Sequence, residues 1–333
     1  MTTLSPSASS ICSCINPKIQ ITFDIVNWDA LSSLVCKLHQ VDSSHWGEQI
    51  SGGYNLVRFL HLHNSKNTTL VARVPLRSED DLSGENDSAL SKQIESEVAT
   101  MEYVERYTNI PVPHVYHCSS HTEGDVHSPY ILMSKVEGVQ LSSVWDDMDE
   151  DKRRIILQQV IDILLELWPH RFEKDGVLFK RADGRDGKDA WYVELSSIIE
   201  SPGDINFEST ISHSNAVDCW LACVNAKLYD ICNQNFGSNG KHFSHSSMWF
   251  VHSHIPSLFN SSIDNHGFSL CPGDFHSQNI MITDVDTHPR IGGGVVRPNL
   301  RNNFCAVPLH RRSPRLRREP PTAKTECTRS GHF

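Results

Sequence analysis

A chain of 333 residues, 38% of them apolar, with 13 Phe and 7 Trp, suffices for one large two-lobed domain or two modest ones and is too apolar to be disordered throughout. It holds no run of roughly 18 apolar residues, which argues against a membrane-spanning helix. Its formal charge of −10 hides an asymmetry: residues 290–333 carry ten Arg or Lys against two acidic groups, which leaves residues 1–289 with 20 basic and 38 acidic side chains, a net of −18. Such a body repels nucleic-acid phosphates, so no nucleic-acid partner is expected.

Residues 1–20 are rich in Ser and Cys and are expected to be a disordered N-terminus. Cys12 and Cys14 form a C-x-C pair with no second pair beside it, and the ten cysteines have irregular spacings. No basic start followed by an apolar block marks a secretory signal, so free thiols in a reducing compartment are expected. Only Lys18 is basic before residue 30, a poor match to an Arg-rich presequence; the cytoplasm is the expected compartment, with the mitochondrion as the alternative.

From Asp24 to Val41, Ile25, Trp28, Leu31, Leu34, Val35 and Leu38 recur at helical spacing and predict one leading helix. Ser51-Gly52-Gly53-Tyr54-Asn55 is a turn feeding a strand from Leu56 to His63; a polar turn at Asn64–Asn67 then leads to a second strand over Thr69–Val74, an antiparallel hairpin. Residues 78–92 are expected as a polar loop, and Ile94–Tyr107 as a helix with Val98, Met101 and Val104 on one stripe. Val115–Cys118 and Tyr130–Lys135 read as two more strands. The period then changes from two to about 3.6. Asp147, with Glu150 three residues on, predicts a capped helix running to Trp168 before Pro169. Residues 173–190 read as loop, and a helix is expected between Ala216 and Phe236, with Trp220, Leu221, Val224, Leu228 and Ile231 on one face. A sheet-rich first half and a helix-rich second half predict an α+β, two-lobed molecule.

The strongest local signal is Gly273-Asp274-Phe275-His276-Ser277-Gln278-Asn279, followed by Ile280-Met281-Ile282. This string resembles the catalytic loop of the aminoglycoside phosphotransferase family and, more distantly, of protein kinases. The resemblance implies Asp274 as catalytic base and Asn279 as magnesium ligand. Ser51–Asn55 is similar to the family's loop over the nucleotide, where Gly52 and Gly53 would let backbone amides approach phosphates. Arg73 matches the strand position of a kinase's phosphate-pairing lysine, and its permanent cation could hold phosphate oxygens. Glu97 fits the helix glutamate that would anchor Arg73. Tyr130–Leu141 resembles the interlobe hinge that receives adenine, and its continuation Ser143-Val144-Trp145-Asp146-Asp147 is similar to fungal members of the altered-inheritance-of-mitochondria type.

The resemblance covers roughly residues 20–289 and implies a protein-kinase-like fold. Residues 21–137 would form a nucleotide-binding N-lobe with a small antiparallel sheet. Residues 138–289 would form a mostly helical, incomplete C-lobe holding the 272–282 loop, and residues 290–333 a basic disordered tail. The implied activity is ATP- and Mg2+-dependent phosphoryl transfer to a small-molecule hydroxyl.

Three departures argue for the alternative, a catalytically dead, pseudokinase-like binding or remnant protein. Pro272 stands where the family places a histidine. The stretch Arg290–Arg297 lacks the Asp that would be the second magnesium ligand, no Asp follows Asp286, and Asp284 and Asp286 lie too near the loop to substitute. The helices that follow in the family give way to Arg-, Pro- and Ser-rich sequence, which reads as a frameshifted, mis-spliced or decayed frame after residue 289. Separately, His242, His245, His252, His254, His266 and His276 with Cys271 could in principle ligate zinc, although dispersed surface histidines are the ordinary explanation.

Overall fold

Period-two alternation sorts the first half of the chain onto the two faces of one sheet. The computed structural model describes residues 16–84, 87–183, 186–194, 213, 215–233, 238–259, 267–273 and 275–293. Two helices lead, α1 (Pro17–Ile25) and α2 (Trp28–His39), where the spacing of apolar residues predicts one. The break falls at Asn27, whose side chain accepts from the Ala30 amide at 3.1 Å and so caps α2. Strands β1 (Ser44–Ser51), β2 (Asn55–Leu62) and β3 (Thr69–Pro75) follow. Helix α3 (Asp87–Tyr107) then crosses to β4 (Val115–Ser119) and β5 (Tyr130–Ser134). The five strands form an antiparallel sheet in the order β1-β2-β3-β5-β4.

Leu56, Leu60, Leu70, Ala72, Val74 and Leu132 share one face of this sheet and bury Leu31 and Val35 of α2 against them. The opposite face presents Ile131 to Ile94, Val98 and Met101 of α3. Arg58 of β2 lies over the rings of Phe23, Trp28 and Trp46 at 5.0, 4.6 and 4.7 Å, stitching α1 and α2 to the first hairpin by cation–π contact.

The second half comprises β6 (Val139–Gln140), the one-turn α4 (Leu141–Val144), α5 (Glu150–Leu167), β7 (Arg171–Phe172), β8 (Val177–Lys180), β9 (Trp191–Glu194), α6 (Ala216–Asn233), α7 (Ser238–Leu258), β10 (Phe268–Ser269), β11 (Met281–Thr283) and β12 (Arg290–Gly293). Helix α5 is capped by Asp149, which accepts from the Lys152 amide at 2.9 Å, rather than by Asp147. The expected loop at 173–190 contains β8, paired with β9, and α7 was not expected at all. Helix α6 lies where the sequence predicts it.

Ile156, Ile163 and Leu167 of α5 pack with Leu178, Cys219, Phe268, Leu270, Ile280 and Ile282. Ala99, Tyr103 and Val104, the distal half of α3, belong to this same core. The two lobes therefore share one helix. The result is an α+β, two-lobed arrangement, a small antiparallel sheet followed by a mostly helical lobe. That helical lobe is only partly covered among the described residues: Leu157, Ile161, Leu164 and Leu165 on one stripe of α5 are 38–62% exposed.

A buried polar contact fastens α3 to the second lobe. Tyr103 Oη lies 2.9 Å from Nδ1 of His170, and the His170 carbonyl accepts from the Leu270 amide at 2.9 Å. Burial, with the nearby Lys188 charge, pushes the His170 pKa below its ordinary value, and Glu166 only partly opposes this. A histidine with a lowered folded pKa binds fewer protons folded than unfolded, so its contribution to stability is full above about 6.5 and is lost as pH falls below it. Tm measured from pH 7.5 to pH 5 should therefore fall less steeply in His170→Gln than in the wild type; equal slopes would contradict this assignment.

Candidate functional site

Arg73 and Glu97 meet because two periodicities agree. On β3, Leu70, Ala72 and Val74 face α2, so Arg73 faces α3; on α3, Glu97 lies three residues after Ile94 and four before Met101, on the stripe that meets the sheet. Arg73 Nη2 and Glu97 Oε1 form an ion pair whose side chains are 6% and 5% exposed. The guanidinium carries its charge at any accessible pH. A pair this deep gives up hydration on both partners, which its mutual attraction barely offsets, so packing alone gives little reason to keep it.

The glycine turn lies at the tip of the β1–β2 hairpin. Ser51 pairs with Leu56, and the Gly52 amide donates to the Asn55 carbonyl at 2.9 Å. A side chain at Gly53 would meet nothing within 4 Å, and one at Gly52 only the Asn55 carbonyl at 4.0 Å. Open space thus lies beside this backbone, as an approaching ligand requires.

The 272–282 loop is tied to the segment just beyond the hinge. Strand β6 pairs with β11 through Gln140 opposite Met281 and Val139 opposite Ile282, and the Leu141 amide donates to the Ile280 carbonyl at 2.8 Å. Gly138 allows the contact: its φ is +113°, and a Cβ there would lie 2.5 Å from the Ile282 carbonyl oxygen.

Within the loop, Asn279 is buried, 7% exposed, at the end of a single 3-10 turn, Ser277–Asn279. His276 organises that turn. Its Nδ1 accepts from the Gln278 amide at 3.2 Å, its carbonyl from the Asn279 amide at 2.9 Å, and its Nε2 lies 3.3 Å from the Asn279 carboxamide nitrogen. Sequence reasoning noted His276 only as a candidate zinc ligand. The signal that could have found its role is its place as cap, three residues before Asn279. Asp274, the expected base, lies outside the described residues.

Strand β12, where the resemblance would put the second magnesium ligand, is a partner of β11, with Ile282 opposite Ile291 and Thr283 opposite Arg290. Paired strand thus continues past residue 289 to Gly293, four residues into the stretch expected as tail. Gly292 and Gly293 let it lie close to the hinge; a Cβ on them would come within 3.3 Å of the Glu137 carbonyl oxygen and 2.9 Å of Val136, respectively. Positions 294–297 lie outside the described residues. A polar surface depression of about 520 Å³, lined by Arg181, Asp186, Lys188, Asp189 and Trp191, borders the β8–β9 hairpin and includes none of the expected site residues.

No protein-family model matches the chain. It is 32% identical over 132 residues to a subtelomeric hrmA-associated cluster protein of Aspergillus fumigatus, covering 40% of this chain and 24% of that one. It is 31% identical over 117 residues to the altered inheritance of mitochondria protein 9, mitochondrial, of Meyerozyma guilliermondii, covering 34% of this chain and 18% of that one. With the protein of the same name from Saccharomyces cerevisiae it shares 27% identity over 143 residues, 41% of this chain and 22% of the other. The matched stretch thus spans a quarter or less of the length of these curated relatives. Among solved structures, the aminoglycoside phosphotransferase APH(4)-Ia aligns over 79% of this chain and 70% of its own at 14% identity, with a TM-score of 0.45. The macrolide 2'-phosphotransferase MphH from Brachybacterium faecium aligns over 80% and 70% at 13% identity and a TM-score of 0.34. In sequence, then, the chain is similar to fungal proteins named for altered inheritance of mitochondria, as its hinge motif leads one to expect.

Proposed function

We propose that the chain is an ATP-dependent phosphotransferase of the kinase-like type, acting on the hydroxyl of a small molecule. The observation that carries this reading is the buried Arg73–Glu97 pair, a costly arrangement that makes sense as a cation held in place for the phosphates of a nucleotide. The residues fit the donor in part. Gly52 and Gly53 leave room for phosphates beside backbone amides, Arg73 supplies a fixed cation, and Asn279 places a carboxamide in the loop that the sequence marks for chemistry.

In this reading the acceptor hydroxyl gives its proton to the Asp274 carboxylate as its oxygen bonds to the γ-phosphorus and the bond to the ADP oxygen breaks. Magnesium, when bound, would neutralise charge on the phosphate oxygens; Asn279 is the ligand this chain offers for it. Arg73 would orient the donor, and Glu97 would keep Arg73 from swinging to another partner.

The second reading is a pseudokinase-like protein that binds nucleotide without turnover. It is favoured by β12, which runs Arg290-Ile291-Gly292-Gly293 with no carboxylate in it or in the four residues after it. Loss of one metal ligand would leave binding weakened and turnover lower by orders of magnitude. The test is transfer of the γ-phosphoryl group from labelled ATP to a panel of small hydroxyl compounds. The enzyme reading expects transfer that Asp274→Ala abolishes while ATP binding persists; binding with no transfer to any acceptor would favour the second reading.

The cytoplasm remains the proposed compartment, with the mitochondrion as an alternative supported by the names of the yeast relatives. Among the described residues no helix is long and apolar enough to cross a membrane.

A further inference from the structure

Asp175, His213 and Cys219 bring a carboxylate, an imidazole and a thiol together, with one potential ligand atom from each lying within 4.8 Å of the others. From this geometry we infer that the chain holds a thiophilic divalent cation, Zn2+, at these three side chains. Of the residues that sequence alone offered for zinc, His242, His245, His252, His254, His276 and Cys271 fall in no such group among the described residues, and His266 lies outside them.

The three ligands come from separate stretches. Asp175 lies in the turn between β7 and β8, His213 ahead of α6, and Cys219 in the first turn of α6. Asp175 is 7% and Cys219 1% exposed, and His213 is half-buried. The His213 amide donates to Asp175 Oδ1 at 2.7 Å, and His213 Nδ1 lies 3.0 Å from Oδ2. The carboxylate and the imidazole are thus already held side by side, with the thiol as their third neighbour.

Charge and softness select the ion. The buried carboxylate, which accepts from the His213 amide and lies beside its ring nitrogen, supplies the negative charge that draws a cation to these three side chains. On binding a divalent cation, Cys219 loses its proton to solvent and ligates as thiolate. The thiolate and the carboxylate then cancel the charge of the ion, and the neutral ring coordinates through its unprotonated nitrogen. Sulfur and nitrogen ligands favour Zn2+ over the oxygen-seeking Mg2+ or Ca2+, and water completes a tetrahedron begun by three protein ligands. The site shares no residue with the proposed nucleotide site. Its effect would be to clamp the β7–β8 turn to the start of α6, where Ala216 and Cys219 enter the second-lobe core.

The test uses the full chain, purified without chelator or histidine tag. About one zinc per chain is expected by elemental analysis, and Co2+ added to the stripped protein should give a near-ultraviolet thiolate-to-cobalt band. Asp175→Asn should retain zinc at least about tenfold less tightly. Cys219→Ser should lose the cobalt band, whereas Cys232→Ser, at an exposed cysteine, should keep it. If Cys219→Ser does not fold, the wild-type band decides: its absence from folded protein, together with far less than one zinc per chain, overturns the site. A band that survives in folded Cys219→Ser overturns it equally.

Discussion

Glu97→Ala should destabilise the chain by about 3–5 kcal/mol, because it strands the Arg73 guanidinium in an apolar layer without its counter-charge. Arg73→Ala should cost a similar amount, by leaving a buried carboxylate that either ionises at great expense or takes up a proton. The informative variant is the double one. Arg73→Met with Glu97→Leu replaces the pair by apolar side chains of similar volume, between Ile131 on the sheet and Val98 and Met101 on α3. Its stability should return to within about 1–2 kcal/mol of the wild type, or exceed it. Denaturant unfolding of the four proteins measures this directly. Near-additive losses in the double variant would mean that the two side chains are not coupled. Recovered stability together with lost nucleotide affinity would separate what the pair does for the fold from what it does for a ligand.

Gly138→Ala should be the most damaging single-methyl change near the hinge. The residue sits at φ +113°, which an L side chain rarely adopts, and the new Cβ would fall 2.5 Å from a backbone oxygen, that of Ile282, which cannot swing aside as a side chain could. Relief requires β6 to part from β11, which would free the Leu141 amide from Ile280 and release the 272–282 loop from its anchor. A loss of about 2–4 kcal/mol is expected from the strain and the broken pairing together. Hydrogen exchange would locate it: amides of residues 139–141 and 281–283 should lose protection before those of the five-stranded sheet. Uniform protection in a folded Gly138→Ala would contradict the claim that the hinge and the loop are joined there.

What could be read in the sequence, and what could not, follows from where each element meets the core. Strand β2 was legible from its alternating buried leucines, β3 and β5 from nearly continuous buried apolar runs, and β4 from strand-forming Val115 and Tyr116 after the Pro111 and Pro113 punctuation. Strand β1, Ser-His-Trp-Gly-Glu-Gln-Ile-Ser, is an edge strand with mostly exposed positions, so it shows no such alternation. The first turns of α3, Asp87 to Gln93, are polar and largely outside the core, and the helix was therefore expected to begin at Ile94. Helix α7 escaped for a related reason: its large apolar residues Phe243, Trp249, Phe250 and Leu258 are exposed, so they form no core-facing stripe. Strand β8 was masked by the Gly-, Asp- and Lys-rich stretch around it.

At the site, the Arg73–Glu97 contact was expected from the family resemblance alone, and strand parity and helix phase account for it in the structure. The β6–β11–β12 sheet was not, since it joins residues 139 and 140 to 281–283 and then to 290–293, a pairing set by tertiary packing. His276 was legible as a residue type but not as the organiser of Asn279, which depends on the geometry of one short turn.

Calorimetric titration of the folded 333-residue chain with ATP and Mg2+ tests most directly whether Gly52, Gly53, Arg73 and Asn279 take a nucleotide with its metal. Saturable, magnesium-dependent binding is expected in the wild type, weakened by on the order of tenfold or more, about 1.4 kcal/mol, in Asn279→Ala. A chain that is demonstrably folded and takes up no ATP would contradict the account, and a chain that binds ATP equally well without magnesium and in Asn279→Ala would contradict the role given to Asn279.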